Sequence, residues 1–119
     1  MPKLLVVDDE IDVCNFVKNF LEERGYEVFT AMNADDGLAI AKREKPALVL
    51  LDIKMKGMDG LAALKHLKEF DRNQKVVMVT ALEDQDKMDE ACRLGACEYI
   101  TKPLMLDHLE QVVEKILKQ

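Results

Sequence analysis

Four short apolar runs each end in a residue able to handle phosphate or a divalent cation. Residues 4–7 (LLVV) run into Asp8 and Asp9, residues 47–51 (ALVLL) into Asp52, residues 76–79 (VVMV) into Thr80, and residues 97–100 (CEYI) into Thr101, Lys102 and Pro103. If these runs are strands of an open parallel sheet, their C-terminal ends share one edge, and side chains distant in sequence meet there. Three carboxylates brought within about 5 Å repel by roughly 3 to 4 kcal/mol per close pair at an effective dielectric near 20, so such a site implies a cation. Ligands that are all oxygen point to Mg²⁺, or Mn²⁺ in its place, rather than zinc. Asp8, Asp9 and Glu10 could by themselves simply begin a helix favoured by its dipole; Asp52 at the end of a separate buried run argues for a site instead.

Asp52 is the candidate nucleophile, because a carboxylate can form an acyl phosphate and this one faces both the cation and the loop from Ile53 to Gly60. Lys102 offers a positive charge to the incoming phosphoryl oxygens and Thr80 a hydroxyl, while the small Ala81 leaves the approach open. Pro103 allows a cis peptide that aims Lys102 inward.

The elements that must position these groups follow from hydrophobic pattern. The three runs at 4–7, 47–51 and 76–79 lack alternation, as strands covered on both faces do, and form the sheet centre. Residues 27–31 (EVFTA) and 97–101 (CEYIT) mix polar with apolar side chains and read as edge strands. Between them lie helices. The first carries Val13, Phe16, Val17, Phe20 and Leu21 at helical spacing and is closed by Gly25; the last carries Leu106, Leu109, Val112, Val113, Ile116 and Leu117 on one stripe. Asn33 caps a helix through about Arg43, Asp59 caps one over Leu61 to Phe70, and a third starts near Glu83 and Asp84 and ends near Gly95. That third helix has few large apolar residues, so it is expected to be loosely held and able to shift.

Five alternations of strand and helix without repeat or linker specify an α/β, doubly wound, flavodoxin-like (βα)5 domain. Its five-stranded parallel sheet has the order 2-1-3-4-5, with the switch point between strands 1 and 3, where Asp8, Asp9 and Asp52 emerge. The 119 residues, 49% hydrophobic, suit one domain spanning 1–119. A net charge of −6 opposes binding to nucleic acid or an anionic membrane surface. No apolar stretch approaches the ~20 residues of a membrane span, and Cys14, Cys92 and Cys97 read as free thiols, so a reducing, cytoplasmic setting is expected. The last helix reaches the C-terminal Gln119, which suggests either a stand-alone module or the front of a longer protein, with no effector domain in this chain.

Taken in order, Val-Asp-Asp-Glu at 7–10, Leu-Asp-Ile-Lys-Met at 51–55, Gly-Met-Asp-Gly at 57–60, Val-Thr-Ala at 79–81 and Tyr-Ile-Thr-Lys-Pro at 99–103 resemble the receiver (response regulator) domains of bacterial two-component signalling. The resemblance implies a switch that catalyses its own phosphorylation and slow dephosphorylation rather than an ordinary enzyme. It implies that Asp52 takes a phosphoryl group from the phosphohistidine of a sensor histidine kinase or phosphotransfer protein. Mg²⁺ would be held by Asp9, Asp52 and the backbone carbonyl of Lys54, with Asp8 acting through water. Lys102 would bind the phosphoryl group, Thr80 would move toward it, and Tyr99 would rotate inward. The face of helix 4, strand 5 and helix 5 would thereby change for a downstream protein or output domain, or for a second copy on phosphorylation.

Lys56 stands where many members of that family have proline, which leaves the loop less stiff, and the charge of Lys54 beside the phosphate could alter its hydrolysis. A haloacid-dehalogenase-like phosphohydrolase would need Asp-x-Asp on the first strand and a cap, and both are missing. A flavin carrier of the same strand order would meet repulsion between Asp8, Asp9, Glu10 and the flavin phosphate. A receiver-like scaffold signalling without phosphate would have no need of the intact Asp9, Asp52, Thr80 and Lys102 set.

Overall fold

The computed structural model describes residues 1–55, 57, 59–81, 85–96 and 98–118. In chain order the elements are β1 (Lys3–Val7), α1 (Ile11–Glu22), β2 (Glu27–Ala31), α2 (Ala34–Glu44), β3 (Leu48–Asp52), α3 (Gly60–Phe70), β4 (Val76–Thr80), α4 (Gln85–Arg93), β5 (Glu98–Thr101) and α5 (Leu106–Leu117). All strand pairs are parallel and the order is β2-β1-β3-β4-β5, as the hydrophobic pattern predicts.

Why the central runs lack alternation is visible in where successive side chains go. Leu5, Val7, Val49, Leu51, Val76 and Met78 join the core on the face of α2, α3 and α4. Leu4, Val6, Leu48, Leu50 and Val77 join a second core with α1 and α5. Side chains alternate between faces with period two, and each face here is covered, so every position must be apolar. Strands β3 and β4 are buried throughout, whereas the edges β2 and β5 each keep a solvent-exposed residue.

The helix caps follow local chemistry. Asn33 accepts a bond from the Asp36 N–H and Asp59 from the Ala62 N–H, both at 2.8 Å, satisfying donors that the first helical turn leaves free. At the end of α1 the chain turns through Gly25, whose φ of +92° an L side chain rarely adopts. The start expected for α4 at Glu83 and Asp84 lies outside the described residues; from Gln85 onward the helix is seated on Met88 and Ala91, with Leu94 partly buried beyond its end.

One packing expectation is corrected. Phe16 is half exposed, and the buried stripe of α1 is Cys14, Val17, Phe20 and Leu21. Both stripes share residues 17, 20 and 21, so spacing alone leaves the helix rotation open. Packing against the sheet decides it: Cys14, Val17, Phe20 and Leu21 join one core, where the Cys14 thiol donates to the Asp8 carbonyl at 3.2 Å.

Candidate functional site

Backbone bonds at the C-terminal ends of the strands hold the functional residues in place. The Asp8 N–H donates to the Ala31 carbonyl at 3.0 Å, the Ile53 N–H to the Val79 carbonyl at 2.9 Å, and the Lys102 N–H to the Thr80 carbonyl at 2.7 Å. Asp8, Asp52 and Lys102 are therefore fixed by backbone before any side chain interacts. The Lys102–Pro103 peptide is cis.

The Lys102 ammonium is the hub of the site. Its Nζ donates to Asp52 Oδ2 at 3.2 Å, and it lies 3.4 Å from Asp8 Oδ2 and 3.6 Å from Glu10 Oε1. The other oxygen of each buried aspartate is held by a main-chain donor: the Lys54 N–H meets Asp52 Oδ1 at 3.2 Å, and the Glu10 N–H meets Asp8 Oδ1 at 2.9 Å. Glu10, Asp52, Ile53, Lys54, Thr80, Ala81 and Lys102 line an open cleft of about 150 Å³.

Charge is concentrated here beyond what one ammonium neutralises. Burial, and then the neighbouring Asp8 charge, push the Asp52 carboxyl up to about 6 against the opposing pull of Lys102 and the Lys54 N–H. Burial likewise raises Asp8, opposed by the Glu10 N–H and Lys102. Burial lowers Lys102, but Asp52, Asp8 and Glu10 outweigh it and hold the ammonium above its ordinary range. Asp8, Asp9 and Glu10 present oxygens within 4.8 Å of one another. An all-oxygen donor set with surplus negative charge fits a hard divalent cation such as Mg²⁺.

The predicted residues are distributed as follows. Asp8 and Asp52 both meet Lys102, and Asp9 joins Asp8 in the carboxylate cluster. The tight carboxylate trio is thus Asp8, Asp9 and Glu10, with Asp52 tied to it through Lys102. Thr80 is buried, its hydroxyl donating to the Ala81 carbonyl at 3.2 Å, and both residues line the cleft. Tyr99, on β5, is 41% exposed. Lys54 lines the cleft, while Lys56 lies outside the described residues.

Two contributors escaped sequence reasoning. Glu10 reaches Lys102 although its position reads as an ordinary helix start; its adjacency to Asp8 and Asp9 was the available signal. Gly60 opens α3 so close to the end of β3 that an added Cβ would sit 2.2 Å from the Asp52 carbonyl oxygen and 2.6 Å from Ile53 Cα. Its N–H donates to the Ile53 carbonyl at 2.8 Å, which braces the turn that carries Asp52. Its signal was the second glycine of Gly-Met-Asp-Gly, directly after a capping aspartate.

The chain matches the family model of the response regulator receiver domain over residues 4–114. It belongs to that family. This receiver domain of two-component signalling is 37% identical to sporulation initiation phosphotransferase F of Bacillus subtilis, with 97% of this chain and 93% of that protein covered. It is 40% identical to chemotaxis protein CheY of Treponema pallidum, covering 98% and 83%. The receiver domain of NtrX from Brucella abortus superimposes with a TM-score of 0.93 at 38% identity, with 98% of each chain covered. Against transcriptional regulatory protein ZraR of Salmonella typhimurium the receiver is 36% identical but spans only 26% of that protein. The flavin-carrier and phosphohydrolase alternatives fall away with this membership. No helix among the described residues is long and apolar enough to cross a membrane.

Proposed function

We propose that residues 1–119 act as one cytoplasmic phosphoacceptor unit in which Asp52 takes a phosphoryl group from a histidine kinase or phosphotransfer protein. The observation that carries this reading is the 3.2 Å contact between Lys102 Nζ and Asp52 Oδ2, in a cleft open to solvent beside the acidic cluster. An Asp52 carboxylate oxygen attacks phosphorus as the N–P bond of the donor phosphohistidine breaks, and the imidazole leaves with the bonding pair. The Lys102 ammonium stays with the phosphoryl oxygens, where charge develops in the transition state. Ala81 leaves the line of approach clear.

Asp9, Asp52 and the Lys54 carbonyl, with Asp8 through water, would hold Mg²⁺. When bound, the ion offsets carboxylate repulsion and screens the phosphoryl oxygens. Thr80 and Tyr99 form the switch: Thr80 turns its hydroxyl from the Ala81 carbonyl toward the phosphoryl group, and the exposed Tyr99 moves inward. Phosphate adds charge and acceptor oxygens to a two-position element, so ligation shifts an existing equilibrium on the α4, β5 and α5 face that a downstream protein or output domain reads.

Incubation with Mg²⁺ and acetyl phosphate should give a base-labile phosphoryl adduct located on Asp52 by mass spectrometry and absent in Asp52→Asn. An adduct on another residue, or none on folded protein with a competent kinase, would remove the reading.

A further inference from the structure

We propose that Glu10 governs which phosphodonors enter the cleft, by drawing the Lys102 ammonium toward solvent and repelling small anionic donors at the mouth. This rests on Asp52 being the acceptor. Glu10 occupies the N-cap of α1, yet its side chain makes no cap bond, and glutamate is not a residue that caps well. Its carboxylate lies instead 3.6 Å from Lys102, a residue of the loop after β5. Among the described carboxylates paired with Lys102, those of Asp8 and Asp52 are only 3% and 6% exposed, whereas Glu10 is 63% exposed. An ion pair so open to water contributes little to folding, so stability alone does not account for its place. What it does control is the charge that a donor meets on the way to Asp52, since it lines the same cleft as Ala81 and Thr80.

A free acyl phosphate brings its negative charge past this carboxylate with no contact outside the cleft to offset the repulsion. A phosphoryl group presented on a protein histidine arrives with a docking surface whose binding energy can offset it. Glu10 therefore disfavours small donors relative to a protein-borne one.

The test measures Asp52 phosphorylation at saturating Mg²⁺ for wild type, Glu10→Gln and Glu10→Asp. The donors are acetyl phosphate, whose acetate leaves with the bonding pair as the Asp52 O–P bond forms, and the less negatively charged phosphoramidate. At low ionic strength Glu10→Gln should lower KM for acetyl phosphate about three- to tenfold with kcat little changed, and less for phosphoramidate. At about 0.5 M salt the gain should shrink toward unity. Glu10→Asp keeps the charge and should bring the KM for acetyl phosphate back toward the wild-type value; a KM as low as that of Glu10→Gln would overturn the proposal. The thermal shift produced by Mg²⁺ alone should persist in Glu10→Gln; its loss would make Glu10 a metal ligand and overturn the proposal. Equal KM values in wild type and Glu10→Gln, with the Asp52 adduct present in both, overturn it while leaving the acceptor reading standing. Absence of the adduct in wild type overturns both.

Discussion

The two ends of the sheet use similar residues for opposite purposes. At the N-terminal edge of the strands, cationic and amide side chains are matched to backbone carbonyls. Lys68 Nζ donates to the Gln74 carbonyl at 2.6 Å, Lys75 Nζ to the Ile116 carbonyl at 2.9 Å, and the buried Gln74 amide to the Pro46 and Lys75 carbonyls at 3.1 Å. Those to the Gln74 and Pro46 carbonyls satisfy acceptors at the starts of strands that burial would otherwise leave unpaired. At the C-terminal edge, one ammonium faces a crowd of carboxylates and Asp52 is pushed up to about 6. One end is neutralised by its own chain. The other keeps a surplus of negative charge that a bound cation would offset.

Paired substitutions give the sharpest test of that contrast. Gly60→Ala forces a methyl against the Asp52 and Ile53 backbone, and Gln74→Ala leaves the Pro46 carbonyl without its donor. Each should cost about 2 kcal/mol in urea unfolding. Only Gly60→Ala should also slow Asp52 phosphorylation, by about tenfold or more, because it displaces the attacking group. Equal effects on rate would erase the distinction between the two ends.

A smaller effect is expected from pH. Asp52 binds its proton more tightly in the folded protein, at about 6, than in the unfolded chain, near 3.8. Its contribution to stability is therefore fully present below about pH 4 and is lost as pH rises through about 6. In metal-free protein, Asp52→Asn should be more stable than wild type at pH 7 by about 1 to 2 kcal/mol, after allowance for solvent screening, with the gap closing toward pH 4. A gap that does not vary with pH would mean that the difference is not electrostatic.

The smallest change belongs to the quiet end. Lys45 ends α2 with a φ of +49°, where a side chain is strained, so Lys45→Gly should stabilise by about 0.5 kcal/mol in thermal unfolding. Its phosphorylation kinetics should match wild type. A change in those kinetics would show that the two ends are coupled.

Much of this was legible in the residues themselves. Unbroken apolar runs at 4–7, 47–51 and 76–79 can be stable only where both faces are covered, so a parallel sheet with helices on each side follows from hydrophobic pattern alone. Asn33 and Asp59 announce helix starts because their short side chains bond their own backbone. Placing Asp8, Asp52 and Lys102 at strand ends then brought them to a common edge.

What local pattern could not supply was rotation and approach. Two stripes of α1 fit the same periodicity, and only packing against the sheet, with Cys14 bonded to the Asp8 carbonyl, sets which one faces inward. Glu10 is one more acid at a helix start until β5 delivers Lys102 beside it, and Gly60 one more loop glycine until α3 meets the end of β3. Residue type and spacing fix which element forms and what chemistry its end can offer, because those depend on near neighbours along the chain. Which charges share a proton, a cation or an ammonium depends on distances across elements, and those exist only once the sheet has assembled.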